Sequence, residues 1–187
     1  MMVMSVEELR CLLRVNAETG ELFWLERPRH MFKTEQAERD WNSKYIGTRA
    51  LKRYHNGYRV GEIGGVKYFA HRVVWALHYG EWPKIIDHIN HDRSDNRVAN
   101  LRNVTQLENI KNSRLSSRNK SGYHGVRWDG YSWAVTIGVG RTTIRVGNYK
   151  NKSHAVAARK AKERELGYHE NHGVGSVLEG LDNVFQI

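Results

Sequence analysis

The sequence predicts an α+β fold in which short strands and helices are grouped into small domains. Short apolar or aromatic runs alternate with Gly-containing turns, and two helix starts carry Ser or Thr with Glu three residues later. At 187 residues with 40% hydrophobic residues, the chain suits one domain or two or three small ones. No run approaches the roughly 18–20 apolar residues of a membrane span. We therefore expect no membrane partner.

The first 56 residues predict a helix, a turn and a strand, with no role evident from the pattern. Ser5 and Glu8 form a capping-box signature, and Gly20 closes a turn. The start of the chain has no apolar run typical of a signal peptide, so we expect a cytoplasmic protein. The predicted elements are a helix to about Arg14, a strand at 21–25 and a loop at 27–44.

Residues 57–112 predict a hairpin, a helix, two further strands and a last helix. Gly64 and Gly65 are the two-residue turn expected between strands Tyr58–Ile63 and Val66–Phe69. Thr105 and Glu108 form a second capping box. The remaining elements are a helix at 70–78, strands at 84–89 and 101–104, and a helix at 105–112.

Beyond a polar, basic linker at 113–121, the sequence predicts three strands and one helix. Trp133, Val135 and Ile137 alternate with small or polar residues, which is typical of a strand with one buried face. Ser153 is the expected helix cap, and Gly167 is expected to end that helix. The strands are placed at 122–129, 131–139 and Thr142–Tyr149.

The positive charge of the chain is concentrated in one segment. The whole sequence has 30 Lys and Arg against 20 Asp and Glu, a net charge of +10. Residues 114–165 hold 12 of the basic and 3 of the acidic residues, a net +9, which leaves +1 elsewhere. Aromatic residues are interleaved with this charge, so a polyanion such as nucleic acid is favoured over a merely solvated surface.

Cysteine content restricts the chemistry. Cys11 is the single cysteine, so neither an intrachain disulfide nor a cysteine zinc site is expected. We expect Cys11 to be a small buried residue of the first helix. Any metal site would have to use His, Asp, Glu and Asn.

The residues with chemical potential follow the strands at 84–89 and 101–104. Asp87 and Asn109 offer two oxygens to a hard divalent cation, which suits Mg²⁺, with Mn²⁺ as the alternative and no zinc. Asn100 could accept a hydrogen bond from one ring nitrogen of His88 and leave the other to deprotonate water. Each residue alone has an ordinary structural explanation.

Residues 71–112 resemble the HNH endonucleases of phages and prophages, the ββα-metal nucleases that include free-standing homing enzymes. The matching pieces are HRVV, DHIN, DRSDNR, NLR and T-x-x-E-N. The resemblance implies that Asp87 and Asn109 bind the metal, that His88 is the general base and that Asn100 holds its ring. Asn109 replaces the last His of the HNH name, a common variant.

The same resemblance suggests further contacts to DNA. Phosphate contact and support of the fold are both open for His71, and His91 replaces the usual Gly, where a left-handed backbone has some cost. The candidates for phosphate contact are His71, Arg72, Arg93 and Arg97, with ordinary surface positions as the alternative for the arginines.

Residues 121–167 resemble the AP2 DNA-binding domain, in which three antiparallel strands pack on one helix. The matching pieces are YHGVRW, WAVTI, IRVGNY and the Ala-rich helix. In that family the exposed sheet face enters the major groove. Trp128 and Trp133 are expected to pack. The resemblance places on the DNA face His124, Arg127, Thr136, Thr143 and Arg145.

Together the two resemblances imply a homing-type HNH endonuclease that hydrolyses double-stranded DNA with one divalent metal and no small-molecule cofactor. A monomer is favoured, and a single site of this kind cuts one strand. An inactive AP2-type DNA-binding regulator is the alternative, and an RNA-binding protein is disfavoured because no RNA-binding pattern is present. The predicted domains are 1–56 (N-terminal region), 57–112 (HNH), 113–121 (linker), 122–172 (AP2-like) and 173–187 (tail).

Overall fold

The computed structural model describes residues 3–174, which form two compact units divided between Val104 and Thr105. Five α-helices and four small antiparallel sheets lie in this part of the chain, which is consistent with the predicted α+β class. Over the same residues, every helix is too short or too polar to cross a membrane. The predicted tail lies outside the described residues from residue 175 onward.

The first unit holds three helices and seven strands. Its helices are α1 (Val6–Leu12), α2 (Glu35–Tyr45) and α3 (Ala70–Tyr79). Its strands are β1 (Leu13–Asn16), β2 (Glu21–Trp24), β3 (Arg53–His55), β4 (Tyr58–Ile63), β5 (Val66–Phe69), β6 (Ile86–His88) and β7 (Leu101–Asn103). The sheets have the strand orders β1-β2, β3-β4-β5 and β6-β7. The β4–β5 hairpin has the predicted bounds.

Helix α3 lies in the core of the first unit, where α1, β1, β2 and β4 pack against it. Val73 and Val74 of α3 are fully buried, as is Leu9 of α1. Residues on both sides of the predicted boundary at residue 56 therefore share one core. Burial of these side chains is the main stabilising contribution, at about 1.5–3 kcal/mol for each large apolar residue.

Helix α1 begins as predicted and ends earlier. Ser5 Oγ accepts a hydrogen bond from the Glu8 amide at 3.1 Å, and the Glu8 carboxylate accepts one from the Ser5 amide at 2.7 Å. The helix stops at Leu12 because Leu13 pairs with Trp24 in the β1–β2 hairpin. The expectation that Cys11 is buried is wrong, since this residue is exposed on α1.

The loop predicted at 27–44 is wrong from residue 35 onward, where α2 forms. Thr34 caps this helix by accepting a hydrogen bond from the Ala37 amide at 3.1 Å. Trp41 lies on its packed side, with ring centroids 5.5 Å from Trp24 and 5.0 Å from Tyr45. Because aromatic contacts rather than an aliphatic stripe hold α2, the sequence shows no clear hydrophobic period there.

The second unit has α4 (Gln106–Lys111), β8 (Val126–Trp128), β9 (Trp133–Val139), β10 (Thr142–Tyr149) and α5 (Lys152–Glu165). The sheet order is β10-β9-β8, all antiparallel, and α5 packs on it, as predicted. Val126, Val135 and Ala155 form the buried core of this unit. The Thr105–Glu108 capping box of α4 is confirmed.

Two expectations for the second unit need correction. Asn151 rather than Ser153 is the N-cap of α5, and it makes no side-chain capping bond. The helix contacts the sheet through Arg159 as well as through alanine, since the Arg159 guanidinium donates to the Thr136 carbonyl of β9. Arg159 Nε also donates at 2.8 Å to Glu163 of the same helix. Trp128, expected to pack, is 50% exposed.

Candidate active site

The predicted site residues of the first unit lie where β6 ends and the chain turns into a loop. β6 pairs with β7 antiparallel, and the loop between them closes where the Ile89 amide donates to the Asn100 carbonyl at 2.9 Å. Asp87 and His88, at the end of β6, are both buried. His91, at the position where Gly is usual, has a left-handed conformation, with φ +65°.

Asp87 is held by an arginine that sequence reasoning missed. Arg102 lies directly opposite Asp87 in the β6–β7 register, and its Nε and Nη2 donate to Asp87 Oδ2 at 2.8 and 2.6 Å. A carboxylate with little exposure needs such a partner, because burial without one is costly. The antiparallel pairing of the two strands is the signal that would have found Arg102, since it places a cation across from an acid.

Replacing Arg102 with Gln should destabilise the first unit. Loss of the guanidinium leaves the buried Asp87 carboxylate without its charged donor, and we expect a loss of about 1–3 kcal/mol because the Arg102 side chain is partly exposed. Arg53→Gln is the matched control, since its pair with Glu62 is exposed on both sides, and it should change stability by less than about 0.5 kcal/mol. Urea unfolding measures both. Equal losses for the two variants would contradict the role given to Arg102.

The His88 ring is oriented by Asn96. His88 Nε2 lies 3.1 Å from Asn96 Oδ1, and Asn96 is 1% exposed. An amide oxygen can only accept, so Nε2 carries the hydrogen and the lone pair of the neutral ring is on Nδ1. Burial lowers the pKa of His88 more than the Asn96 bond and the nearby carboxylates raise it. At neutral pH the ring is therefore uncharged and able to accept a proton.

The expectation that Asn100 holds the His88 ring is wrong. Asn100 Oδ1 accepts from the Asn90 amide at 3.0 Å, and its Nδ2 donates to the Asp95 carbonyl at 2.8 Å. Asn100 ends a 3₁₀ turn, Val98–Asn100, with its carbonyl already bound to the strand end, so its side chain reaches across the loop. Asn100 thus fixes the loop. Asn96 fixes the ring, and its place within a polar loop gave no signal of that role.

His71 packs beside His88 as an uncharged ring. The His71 ring centroid is 5.1 Å from that of His88, in an edge-to-face arrangement, and 5.0 Å from that of Tyr58. Burial is the largest cause that lowers the pKa of His71 to about 3, followed by the charges of His88 and Arg72. A neutral His71 brings no positive charge to a phosphate. This geometry favours support of the site over phosphate contact.

His71→Phe should flatten the dependence of stability on pH. In the unfolded chain His71 takes up a proton near pH 6.5, whereas in the folded protein it stays neutral to about pH 3. The free energy of unfolding therefore falls as the pH is lowered through that range, by up to about 4 kcal/mol. Phe fills a similar volume among the neighbouring rings and does not titrate. The measurement is the free energy of unfolding from pH 7 to pH 4, with His78→Phe, on the exposed end of α3, as control. An unchanged slope in His71→Phe would contradict this explanation.

The three predicted phosphate-contact arginines all have partners within the first unit. Arg72 donates to the backbone carbonyls of Pro83 and Lys84 at 2.7 and 3.2 Å. Arg93 donates to the Asn56 carbonyl at 3.2 Å and lies over the ring of Tyr58. Arg97 donates to the Asp95 carboxylate at 2.6 and 2.8 Å. Arg93 and Arg97 are exposed, so contact with phosphate stays a prediction for them, whereas Arg72 links α3 to the start of the following segment.

Asn109 lies on α4 in the second unit and is half-buried. Asp87 belongs to the first unit, so their joint metal binding stays a prediction from the motif. Among residues 3–174, no three His, Cys, Asp or Glu side chains are grouped closely enough to hold a metal ion.

Four of the five residues predicted for the DNA face share one side of the β8–β9–β10 sheet. Arg145 pairs with Thr136 and Thr143 pairs with Gly138, while α5 covers the opposite side. Arg127 lies on the same side because its cross-strand partner, Ala134, is two residues from Thr136 on β9. These four side chains form the sheet face, defined as Arg127, Thr136, Thr143 and Arg145.

His124 is placed differently. It precedes β8, its ring stacks on His172 with centroids 4.5 Å apart, and its Nε2 is 3.1 Å from the Arg114 carbonyl. The His172 ring is buried, and burial is the main cause that lowers its pKa to about 4. His124 therefore contributes to packing and is not part of the sheet face.

The fold and site can be compared with known proteins. Residues 68–111 match the family model described as HNH endonuclease, a segment that holds Asp87, His88, Asn100 and Asn109. No curated protein and no solved structure matches the chain. The match supports an HNH nuclease, and this family acts on DNA.

Proposed function

We propose that the protein is a DNA endonuclease of the homing type that hydrolyses phosphodiester bonds of double-stranded DNA. The observation that carries the proposal is the buried His88 ring, fixed through Nε2 by Asn96 and placed beside Asp87 within the matched segment. Phage origin, a cytoplasmic location and a monomer that nicks one strand belong to the same proposal.

In the proposed mechanism, His88 is the general base. Its Nδ1 lone pair removes a proton from the attacking water, and the resulting charge is balanced by the surrounding carboxylates of Asp87, Asp92 and Asp95, each of which favours protonated His88. With the Asn96 amide oxygen as acceptor, Nε2 carries the hydrogen of the neutral ring. The rings of His71 and Tyr58 exclude other orientations.

A divalent cation, Mg²⁺ or Mn²⁺, is proposed as cofactor, held by Asp87 and Asn109. The buried Asp87 carboxylate fits such an ion because it is a hard anionic oxygen donor whose position is fixed by Arg102. When bound, the ion would polarise the scissile phosphate and stabilise the leaving oxygen. Zinc is not expected.

The second unit is proposed as an AP2-like module that binds the target duplex through the sheet face. Arg127 and Arg145 are exposed on that face, and the +9 segment 114–165 lies within this unit. Cationic side chains on one face provide non-specific attraction to phosphates that weakens steeply with salt. Arg127 and Arg145 are the expected base or phosphate contacts, with Thr136 between them on β9 and Thr143 beyond Arg145 on β10.

The test is cleavage of supercoiled plasmids that carry DNA from the genome encoding the protein, including the regions that flank its gene. We expect nicked circles with Mg²⁺ and none with EDTA. DNA binding without Mg²⁺-dependent nicking would reject the nuclease and favour a regulator that binds DNA without cutting it. Binding should weaken as salt rises.

A further inference from the structure

The second unit carries an exposed aromatic surface on the side of the sheet away from the sheet face. Trp128 is 50% exposed, Tyr123 is 37% exposed, and Trp133 lies beside them partly buried. The Trp128 and Trp133 ring centroids are 5.4 Å apart. We refer to Tyr123, Trp128 and Trp133 as the aromatic platform.

The platform is exposed because of its place in the sheet. Trp128 is on β8, the edge strand, and its cross-strand partner Trp133 sets it on the same side as the core of this unit. Helix α5 packs mainly on β9 and β10, so it leaves the end of β8 uncovered. Half of a large indole surface is therefore in contact with solvent, which is unusual for tryptophan and typical of binding sites.

Cations and a cavity adjoin the platform. The Lys152 ammonium lies 5.4 Å from the Trp133 ring centroid and 5.8 Å from that of Tyr123. A cavity of about 390 Å³, within the roughly 300–1,000 Å³ range of small-ligand pockets, opens beside Trp128. It is lined by Asn119, Lys120, Ser121, Val126, Arg127, Trp128 and Trp133.

One carboxylate, that of Asp129, lies in the β8–β9 turn next to Trp128. The Asp129 carboxylate accepts hydrogen bonds from the Tyr131 and Ser132 amides at 3.0 and 2.8 Å. Those bonds, led by the one from Tyr131, keep the pKa of Asp129 below its ordinary value. The surface thus combines flat rings with ammonium groups.

We propose that the aromatic platform binds an unpaired nucleotide of single-stranded DNA, with the base stacked on Trp128 and its phosphates near Lys120 and Lys152. Every base offers a π-face, so stacking on an exposed indole tolerates sequence, and flanking lysines attract the backbone. Trp128 and Trp133 lie on the side of the sheet opposite Thr136 and Arg145, and Arg127 of the sheet face borders the cavity at the edge strand. The proposed contact with single-stranded DNA holds whether or not the first unit cleaves DNA.

The experiment uses the full-length protein in EDTA at fixed salt, with a fluorescein-labelled oligothymidylate and a labelled duplex, followed by fluorescence anisotropy. Trp128→Ala should weaken oligothymidylate binding about tenfold or more, and Trp128→Phe should stay within about threefold of wild type because it retains a ring. Duplex affinity should not change in either variant. An abasic oligonucleotide of equal length should bind wild type and Trp128→Ala equally.

Arg145→Ala is the reciprocal control, since it should weaken duplex binding and leave oligothymidylate binding unchanged. Circular dichroism checks that each variant is folded, and Lys152→Gln supplies a second variant that should weaken the single-strand complex and reduce its salt dependence. Two results would overturn the proposal: oligothymidylate affinity in Trp128→Ala equal to wild type, or abasic and base-containing strands that bind wild type equally, as a purely electrostatic surface would produce.

Discussion

His88→Ala should reduce the rate of Mg²⁺-dependent DNA cleavage by about 10²–10⁴-fold while leaving DNA affinity nearly unchanged. The imidazole is the proposed general base, and its Nε2 is hydrogen-bonded to the acceptor oxygen of Asn96. Removal of the ring leaves water to attack without a base, whereas the basic second unit, which we propose binds DNA, is untouched. Single-turnover cleavage and a binding titration in EDTA measure the two quantities.

The matched control is His78→Ala, which removes an exposed histidine from the end of α3 and should retain wild-type cleavage. Asn96→Ala should give an intermediate loss, because the ring remains and only its tautomer and orientation are released. Full activity in His88→Ala would exclude the general-base role. A loss of DNA affinity that parallels the loss of rate would show instead that His88 acts in binding.

Local signals predicted much of this fold. The capping boxes at Ser5 and Thr105 involve residues three apart, and the two glycines between β4 and β5 define a hairpin without reference to the rest of the chain. Such features depend on backbone chemistry within a few residues. Helix α2 escaped prediction because it is held by rings distant in sequence, Trp24 among them.

Some residues of the candidate site could likewise be predicted from local sequence, and others could not. Asp87 and His88 stand out as a motif, and the burial of both agrees with a specific role. Arg102 and Asn96 do not stand out, because their roles depend on strand register and on how a polar loop folds back. Sequence spacing therefore points to the proposed base, and the structure was needed to find the residues that contact it.

The β1–β2 hairpin supports the loop between β6 and β7, which is a role of the N-terminal region that the sequence did not reveal. The Val98 amide donates to the Ala17 carbonyl at 3.0 Å, and Gly20, at φ +67°, lies directly against the backbone of Asn96. A Cβ at residue 20 would lie 2.1 Å from the Asn96 carbonyl carbon. The backbone that carries the Asn96 side chain would have to move.

Gly20→Ala should therefore destabilise the first unit by about 2–4 kcal/mol, combining the left-handed backbone with overpacking. It should also break the hydrogen bond between His88 and Asn96. The ¹⁵N spectrum of the imidazole should then no longer show a single Nε2–H tautomer, and cleavage should slow even where the variant is folded. Gly47→Ala is the matched control: φ is +73° and nothing lies within 4 Å of its Cβ position, so only the backbone cost of about 1–2 kcal/mol applies. In Gly47→Ala, the tautomer of His88 and the cleavage activity should remain those of wild type. Equal effects of the two substitutions would show that contact with Asn96 does not position the base.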